Sequence, residues 1–193
     1  MRKATIQDRA HVVDILTDTF INLKHENSIS FIVKQDHKYE ARTRFLMSYL
    51  FDTYINQEHI YLDDNQKAVL IVSVSNQERF TFKKLFQSIQ LVFGVIGLSR
   101  LLSVLKRQYI LKKNHPNYPH IKPVILAVHP NHQDRGIGGR LVLNVLRENK
   151  SNQLPIVINT ATYDNVIFYQ KFGFRLTHKT EELGYPFYFL EKK

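Results

Sequence analysis

Val124-Ile-Leu-Ala-Val-His-Pro-Asn-His-Gln-Asp-Arg-Gly-Ile-Gly-Gly-Arg-Leu-Val142 is the stretch whose reading decides the fold. Its first residues, through Val128, are apolar and mostly β-branched, as in a buried strand, and the run stops at the turn-forming His129-Pro130-Asn131. After Gly136-Ile-Gly-Gly139 the apolar residues Ile137, Leu141, Val142, Val145 and Leu146 recur at helical spacing, with Arg140, Asn144 and Arg147 on the other side. The order is therefore strand, glycine-rich bend, amphipathic helix. Such a junction leaves unpaired N–H groups at the positive end of a helix dipole, and glycines without Cβ atoms let an anion approach the backbone. A phosphorylated ligand is the chemical expectation.

Neither Gly-x-x-x-x-Gly-Lys-Ser/Thr nor Gly-x-Gly-x-x-Gly after a first strand is present. The loop instead reads Gln133-Asp134-Arg135-Gly136-Ile137-Gly138, preceded by Leu126-Ala-Val-His-Pro130. It resembles the pyrophosphate loop, Gln/Arg-x-x-Gly-x-Gly/Ala, of the GCN5-related N-acetyltransferase (GNAT) superfamily. A second stretch, Asn165-Val-Ile-Phe-Tyr169-Gln-Lys-Phe-Gly173-Phe174, is similar to that family's Asn-x-x-x-Tyr-x-x-x-Gly-Phe ending. The resemblance implies acetyl-CoA as donor cosubstrate, with Gln133, Asp134, Arg135, Gly136, Ile137, Gly138 and Gly139 wrapping the pyrophosphate and Arg135 and Arg140 adding positive charge. It implies further that Leu126, Ala127 and Val128 offer backbone groups to the pantetheine amides. By the same analogy Asn165 contacts the pantetheine arm or the acetyl group, and Tyr169 lies near the thioester sulfur. Many relatives space that Asn and Tyr more widely than this chain does.

The chemistry such a site must perform is specific. When an amine attacks a thioester, the departing thiolate gains from a proton or hydrogen bond, which a tyrosine hydroxyl supplies. The attacking amine is mostly protonated near neutral pH, so a base is needed. Ile121 to Val128 and Leu154 to Thr160 contain no acidic residue, and Asn159-Thr160 stands where many relatives carry a glutamate. His120, at the mouth of the central strand, is the candidate base because histidine titrates in the useful range. Tyr169 and His120 are thus the candidate catalytic residues. No cysteine exists to form an acyl-enzyme, a disulfide or a cysteine metal site, and no histidines sit with carboxylates at metal-ligand spacing. A Gly-x-Ser-x-Gly elbow is absent as well.

The 193 residues suit one domain with its own core, and 44% hydrophobic and 23% charged residues argue against disorder. The formal charge of +10 attracts anions in general, CoA and acidic surfaces included. An amino terminus without an apolar h-region is not a signal peptide, so a cytoplasmic protein is expected.

Along the chain, residues 2–5 suit a strand, and Thr5 with Asp8 resembles a capping box before a helix to about residue 22. The polar stretch Lys24-His-Glu-Asn27 breaks the pattern. A second helix is expected from Tyr39, with Phe45, Leu46, Tyr49, Leu50 and Tyr54 as its core stripe. Residues 59–62 and 68–74 form a hairpin about Asp63-Asp-Asn-Gln66. Residues 80–113 form a helical insert bent near Gly94 or Gly97, too polar to cross a membrane, whose Lys83-Lys84, Lys106-Arg107 and Lys112-Lys113 make a solvated face. Leu154 to Thr160 is a strand parallel to the central one, Asp164 to Lys171 a helix stopped by Gly173, and residues 174–179 and 185–190 a closing hairpin with Pro186 at an edge or bulge.

The expected fold class is α/β (α+β): one GNAT acyl-CoA N-acyltransferase domain over 1–193, with a mixed, mostly antiparallel sheet, flanking helices and the insert before the central strand. In the resembled family the first two helices and extra helices at the insert border the acceptor site, so Phe20, Phe31, Tyr39 and Tyr54 become pocket candidates. The expected function is acetyl transfer directly to an acceptor amine, a small molecule or an amino terminus. A non-catalytic acyl-CoA-binding module, or a basic protein of nucleic-acid or membrane surfaces, is the alternative. Nucleic acid and metal are not expected as partners, and a homodimer is left open.

Overall fold

One strand is apolar on both sides and therefore belongs at the centre. In the computed structural model, which describes residues 1–23, 28–75, 91–149 and 153–193, β3 (Ala68–Val74) is buried along nearly its whole length. Its alternate residues divide between two cores, Val69 and Ile71 on one face, Ala68, Leu70 and Val72 on the other. Around it the order is β1 (Arg2–Lys3), α1 (Arg9–Ile21), α2 (Ser28–Ile32), α3 (Tyr39–Tyr54), β2 (Ile60–Leu62), β3, a π-helical turn at Val92–Ile96, α4 (Leu98–Asn114), β4 (Ile121–Val128), α5 (Ile137–Asn149), β5 (Ile156–Thr160), α6 (Tyr163–Gln170), β6 (Arg175–Thr180) and β7 (Phe187–Lys192). The strands form one seven-stranded sheet in the order β1-β2-β3-β4-β5-β7-β6. Among the described residues, β4 and β5 are the one parallel pair of neighbours.

The two faces carry different helices. Val12 and Leu16 of α1 and Met47 and Phe51 of α3 pack with Ile60, Leu62, Val69 and Ile71 on one side. On the other, Leu141, Val142 and Val145 of α5 pack with Leu70, Val72, Ile158, Tyr169 and Phe174. The α5 stripe is thus the one expected from spacing. In α3 it holds in part: Leu46 is buried and Tyr49, Leu50 and Tyr54 pack on the core, but Phe45 is 42% exposed, and Thr43, Met47 and Phe51 are buried beside them. The stripe read from spacing lies to one side of the buried one, since the sheet selects a face centred on 43, 47 and 51, spaced one turn apart.

At the amino terminus Asp8 is a junction. Its carboxylate accepts the Thr5 N–H at 2.7 Å, as the capping-box reading expects, and also binds Arg2 at 2.7 and 2.8 Å. These contacts hold its carboxyl well below the usual carboxylate range, the Arg2 hydrogen bonds contributing most.

Part of the insert, and the polar stretch 24–27, lie outside the described residues. Within them the insert bends at Gly97, where φ is 75°. It is docked to the first helices by polar contacts. Arg100 Nη1 donates to the carbonyls of Ser30, Phe31 and Val33 at 2.8, 3.1 and 2.9 Å, satisfying the orphan C=O groups at the end of α2. Arg107 departs from the expected solvated face. It is 6% exposed, beside Val104, Ile110 and Leu111, and its guanidinium lies 5.4 Å from the Phe187 ring centroid. Pro186 also departs, since it precedes β7, an interior strand, and the bulge lies in β6 between Leu176 and His178. Replacing Phe51, which has no exposed surface, by Ala is expected to cost about 3–5 kcal/mol in urea unfolding, whereas Phe45→Ala costs less than about 1 kcal/mol.

Candidate functional site

β4 starts in register with β5 and then leaves it. Ile121 N–H donates to Pro155 O at 2.8 Å, and Ile121 opposite Ile156 is the sole residue pairing of the two strands among the described residues. Alternation along β4 explains why. His120 O accepts Ser75 N–H at 2.9 Å, so His120 faces β3, and Ile121 and Pro123 face β5. Pro123 has no N–H, so the next rung toward β5 cannot form.

A β-bulge follows at once. Ile71 lies opposite Ile125 but Val72 opposite Pro123, leaving Val124 as an extra residue that reverses the alternation. His129 N–H now reaches Lys67 O at 2.8 Å, so residues 125, 127 and 129 face β3 while Val124, Leu126 and Val128 face the gap. The Val128 carbonyl is occupied, accepting Thr19 Oγ1 and Gln133 Nε2, each at 3.0 Å. What remains toward the gap is a row of backbone groups at Val124, Leu126 and the Val128 N–H.

The gap is a cleft of about 580 Å³, within the usual range of ligand pockets. Its walls include Pro123 to Leu126 and Val128 of β4, Ile158 to Thr162 of β5 and its turn, Gln133, Asp134 and Gly136 to Gly139, and Asn165, Phe168 and Tyr169 of α6. Of the residues singled out in the sequence, Leu126, Val128, Gln133, Asp134, Gly136, Ile137, Gly138, Gly139, Asn165 and Tyr169 line this cleft. Ala127 is turned toward Val69 of β3 and lies off the cleft. Arg135 and Arg140 also lie outside its lining, and Arg140 Nη1 donates to Arg135 O at 3.2 Å. Of the aromatic pocket candidates only Phe20 lines it; Phe31 contacts Tyr185, with ring centroids 5.4 Å apart, and Tyr39 and Tyr54 pack on the core.

The glycines divide the work. Gly136 has φ of 70°, a conformation that a side chain disfavours, and its carbonyl accepts Arg140 N–H at 3.0 Å. A Cβ at Gly138 would come within 3.1 Å of Val128 Cγ2, and one at Gly139 within 3.1 Å of Phe172 Cζ. These two therefore let α5 approach β4 and the end of α6. The result is that Ile137, Gly138 and Gly139, whose N–H groups have no intrahelical acceptor, stand at the cleft with the positive end of the α5 dipole.

Asn165 and Tyr169 stand one helical turn apart on α6. Asn165 Nδ2 donates to Thr160 Oγ1 at 3.0 Å, which fixes the amide against the end of β5. Tyr169 is buried among Phe168, Phe174 and the α5 core, and that burial alone pushes its hydroxyl up to about 12. It is a neutral donor at any physiological pH.

His120 is buried but off the cleft lining, its Nδ1 2.8 Å from Tyr118 O. Sequence reasoning missed its neighbour. His115 Nε2 lies 3.3 Å from Asn159 Oδ1, and its ring stacks on His120 with centroids 5.6 Å apart. Asn159 lines the cleft, so the pair of histidines reaches it through that amide. Burial, Lys122 and His120 push His115 down to about 4, the Asn159 contact opposing them. The only signal for His115 was its place in the same Pro-rich connector as His120. Among the described residues no group of three His, Asp or Glu side chains is arranged to hold a metal ion, and no helix is long and apolar enough to cross a membrane.

Comparison with known proteins agrees with this architecture. Residues 94–176, from the insert through β4, the glycine loop, α5, β5 and α6, match the family model described as Acetyltransferase (GNAT) domain. No curated protein matches the sequence significantly. Among solved structures the chain is similar to one from Corynebacterium glutamicum described as histone acetyltransferase HPA2 and related acetyltransferase, at 17% identity and TM-score 0.67, covering 98% of this chain and 93% of the other. A mosquito arylalkylamine N-acetyltransferase-like 5b matches at 16% identity and TM-score 0.62, covering 99% and 97%. A Drosophila melanogaster polyamine N-acetyltransferase matches at 11% and 0.60, again covering 99% and 97%.

His115 gives the site a pH signature. Its folded pKa lies below the ordinary value of 6.5, so the folded state binds fewer protons than the unfolded one between the two. Its contribution to stability is complete above about pH 6.5 and is lost as pH falls toward about 4. Urea midpoints measured across that window are expected to fall less steeply for His115→Gln than for the parent chain.

Proposed function

From a chain that has the GNAT fold throughout and carries the family's acetyltransferase domain at residues 94–176, we propose an acetyl-CoA-dependent N-acetyltransferase that transfers the acetyl group directly to an acceptor amine. The observation that carries the reading is the parting of β4 from β5, which opens a cleft with unpaired strand N–H groups on one wall, a helix amino terminus at one end and a buried tyrosine hydroxyl beside it. A long ligand with amides along its length and phosphates at one end matches that order of groups. The α5 amino terminus and the loop from Gln133 to Gly139 would receive the pyrophosphate, with Arg135 and Arg140 as peripheral charge. Val124, Leu126 and Val128 would hydrogen-bond the pantetheine amides. Asn165 would contact the pantetheine arm.

In the reaction the amine nitrogen attacks the thioester carbonyl carbon, the C–S bond breaks, and the leaving sulfur takes the proton of the Tyr169 hydroxyl. The proton shed by the amine passes to the base and from there to solvent, and Tyr169 recovers its own proton from solvent. His120 is the base in this reading, reached past Asn159 and His115. The acceptor is a small amine or an amino terminus. Acetyltransferases named for histone, arylalkylamine and polyamine acceptors share the fold, which supports an amine, while the +10 charge disfavours a polycation.

A non-catalytic acyl-CoA-binding module is favoured by one observation, the absence of the candidate base from the cleft lining. Release of free thiol from acetyl-CoA over a panel of amines decides between them. Turnover with at least one amine is expected; tight acetyl-CoA binding without turnover on any of them identifies the module. Tyr169→Phe keeps the ring and is expected to lower kcat about a hundredfold with little change in acetyl-CoA affinity. By calorimetry Gly138→Val, which drives α5 off β4, is expected to weaken acetyl-CoA binding at least tenfold, whereas Arg140→Ala weakens it less than about fivefold.

A further inference from the structure

Helix α4 is apolar on two opposite sides. Its inner side, with Val104, Ile110 and Leu111, belongs to the buried interior. Its outer side presents Leu102, Leu105 and Tyr109, which are 79%, 54% and 67% exposed. At about 100° per residue these three fall within an arc of about 60°, centred opposite the buried side. Lys106 borders the arc on one edge and Lys112 on the other, both exposed and, among the described residues, neither in contact with a carboxylate. Lys113, beside them, pairs with Glu182 at 3.3 Å. The surrounding sequence is one-sided in charge: from Arg79 to Gln133 it has nine Lys or Arg and no Asp or Glu.

We propose that this outer face of α4 docks the protein on an anionic lipid bilayer. An apolar stripe edged by lysines is the arrangement of an interfacial helix, in which leucine and tyrosine enter the acyl boundary while lysine stems extend to the headgroups. Charge complementarity selects this occupant. A second copy of the same lysine-edged face would oppose lysine to lysine, and a nucleic acid would meet the lysines but leave the leucines wet. The bilayer satisfies both. Docking is separate from acetyl transfer, because Leu102, Leu105, Lys106, Tyr109 and Lys112 all lie off the β4–β5 cleft. It would present the insert side of the molecule to the membrane.

The test is co-sedimentation of the full chain with phosphatidylcholine vesicles, with and without phosphatidylserine, at fixed ionic strength. Retention is expected only when phosphatidylserine is present. Lys106→Gln with Lys112→Gln is expected to reduce it roughly 25-fold, about fivefold for each lysine removed. Leu102→Ser with Leu105→Ser is expected to reduce it at least tenfold, with the thermal unfolding midpoint unchanged. Tyr109→Ser alone, expected to weaken retention in the same direction, serves if the double variant does not fold. Absence of retention overturns the proposal. So does retention indifferent to the leucines and Tyr109, preferential retention on duplex DNA or on an acidic protein, or a self-associated species in solution that Leu102→Ser with Leu105→Ser dissolves.

Discussion

A missing backbone hydrogen bond organises this protein. Sheets close because each strand's N–H and C=O groups find partners on both sides, and β4 fails to do so toward β5 after a single pairing. Pro123 cannot donate, and the bulge at Val124 turns the following residues so that alternate N–H groups look into space. Unpaired groups of this kind are tolerated where solvent or a ligand reaches them. The surrounding elements keep the gap open: Thr19 from α1 and Gln133 from the loop both hold the Val128 carbonyl, and Asn165 from α6 holds Thr160.

Close helix packing serves the same end. Gly138 and Gly139 let α5 press against Val128 and Phe172, so that the helix amino terminus, with its unshared N–H groups, arrives at the open end of the cleft. The positive field there comes chiefly from backbone, because Arg135 and Arg140 stay outside the lining. Tyr169 lies deep among apolar side chains that keep its hydroxyl protonated. The positive end of a helix dipole and a neutral donor thus border the same cleft. The insert completes the exterior, tied to α2 by Arg100 and to the C-terminal hairpin by Arg107 over Phe187.

How much of this was legible depended on whether the relevant period was local. The α5 stripe, the hairpin at Asp63, the left-handed stop at Gly173 and the parallel strand at Ile156 were read from spacing and turn chemistry, which act over a few residues. In α3 the expected stripe was right for Leu46, Tyr49, Leu50 and Tyr54 and wrong for Phe45, because side-chain size does not tell which edge of a helix meets the sheet. Ala127 was grouped with Leu126 and Val128 on the family resemblance; strand alternation separates it from them, and which parity faces the gap is set by the bulge. It appears only when β3 is laid beside β4. His115 was passed over because its link to Asn159 joins residues 44 positions apart.

The sequence by itself determined the strand, the glycine bend, the amphipathic helix and the Asn165–Tyr169 spacing, because each is a matter of backbone conformation and periodicity within one segment. Tertiary structure alone decided that β4 and β5 part after one pairing, which strand groups face the opening, and that Arg107 is buried while Leu102 is not. Those outcomes depend on partners supplied by distant segments, and one chain direction carries no record of which neighbour will be missing.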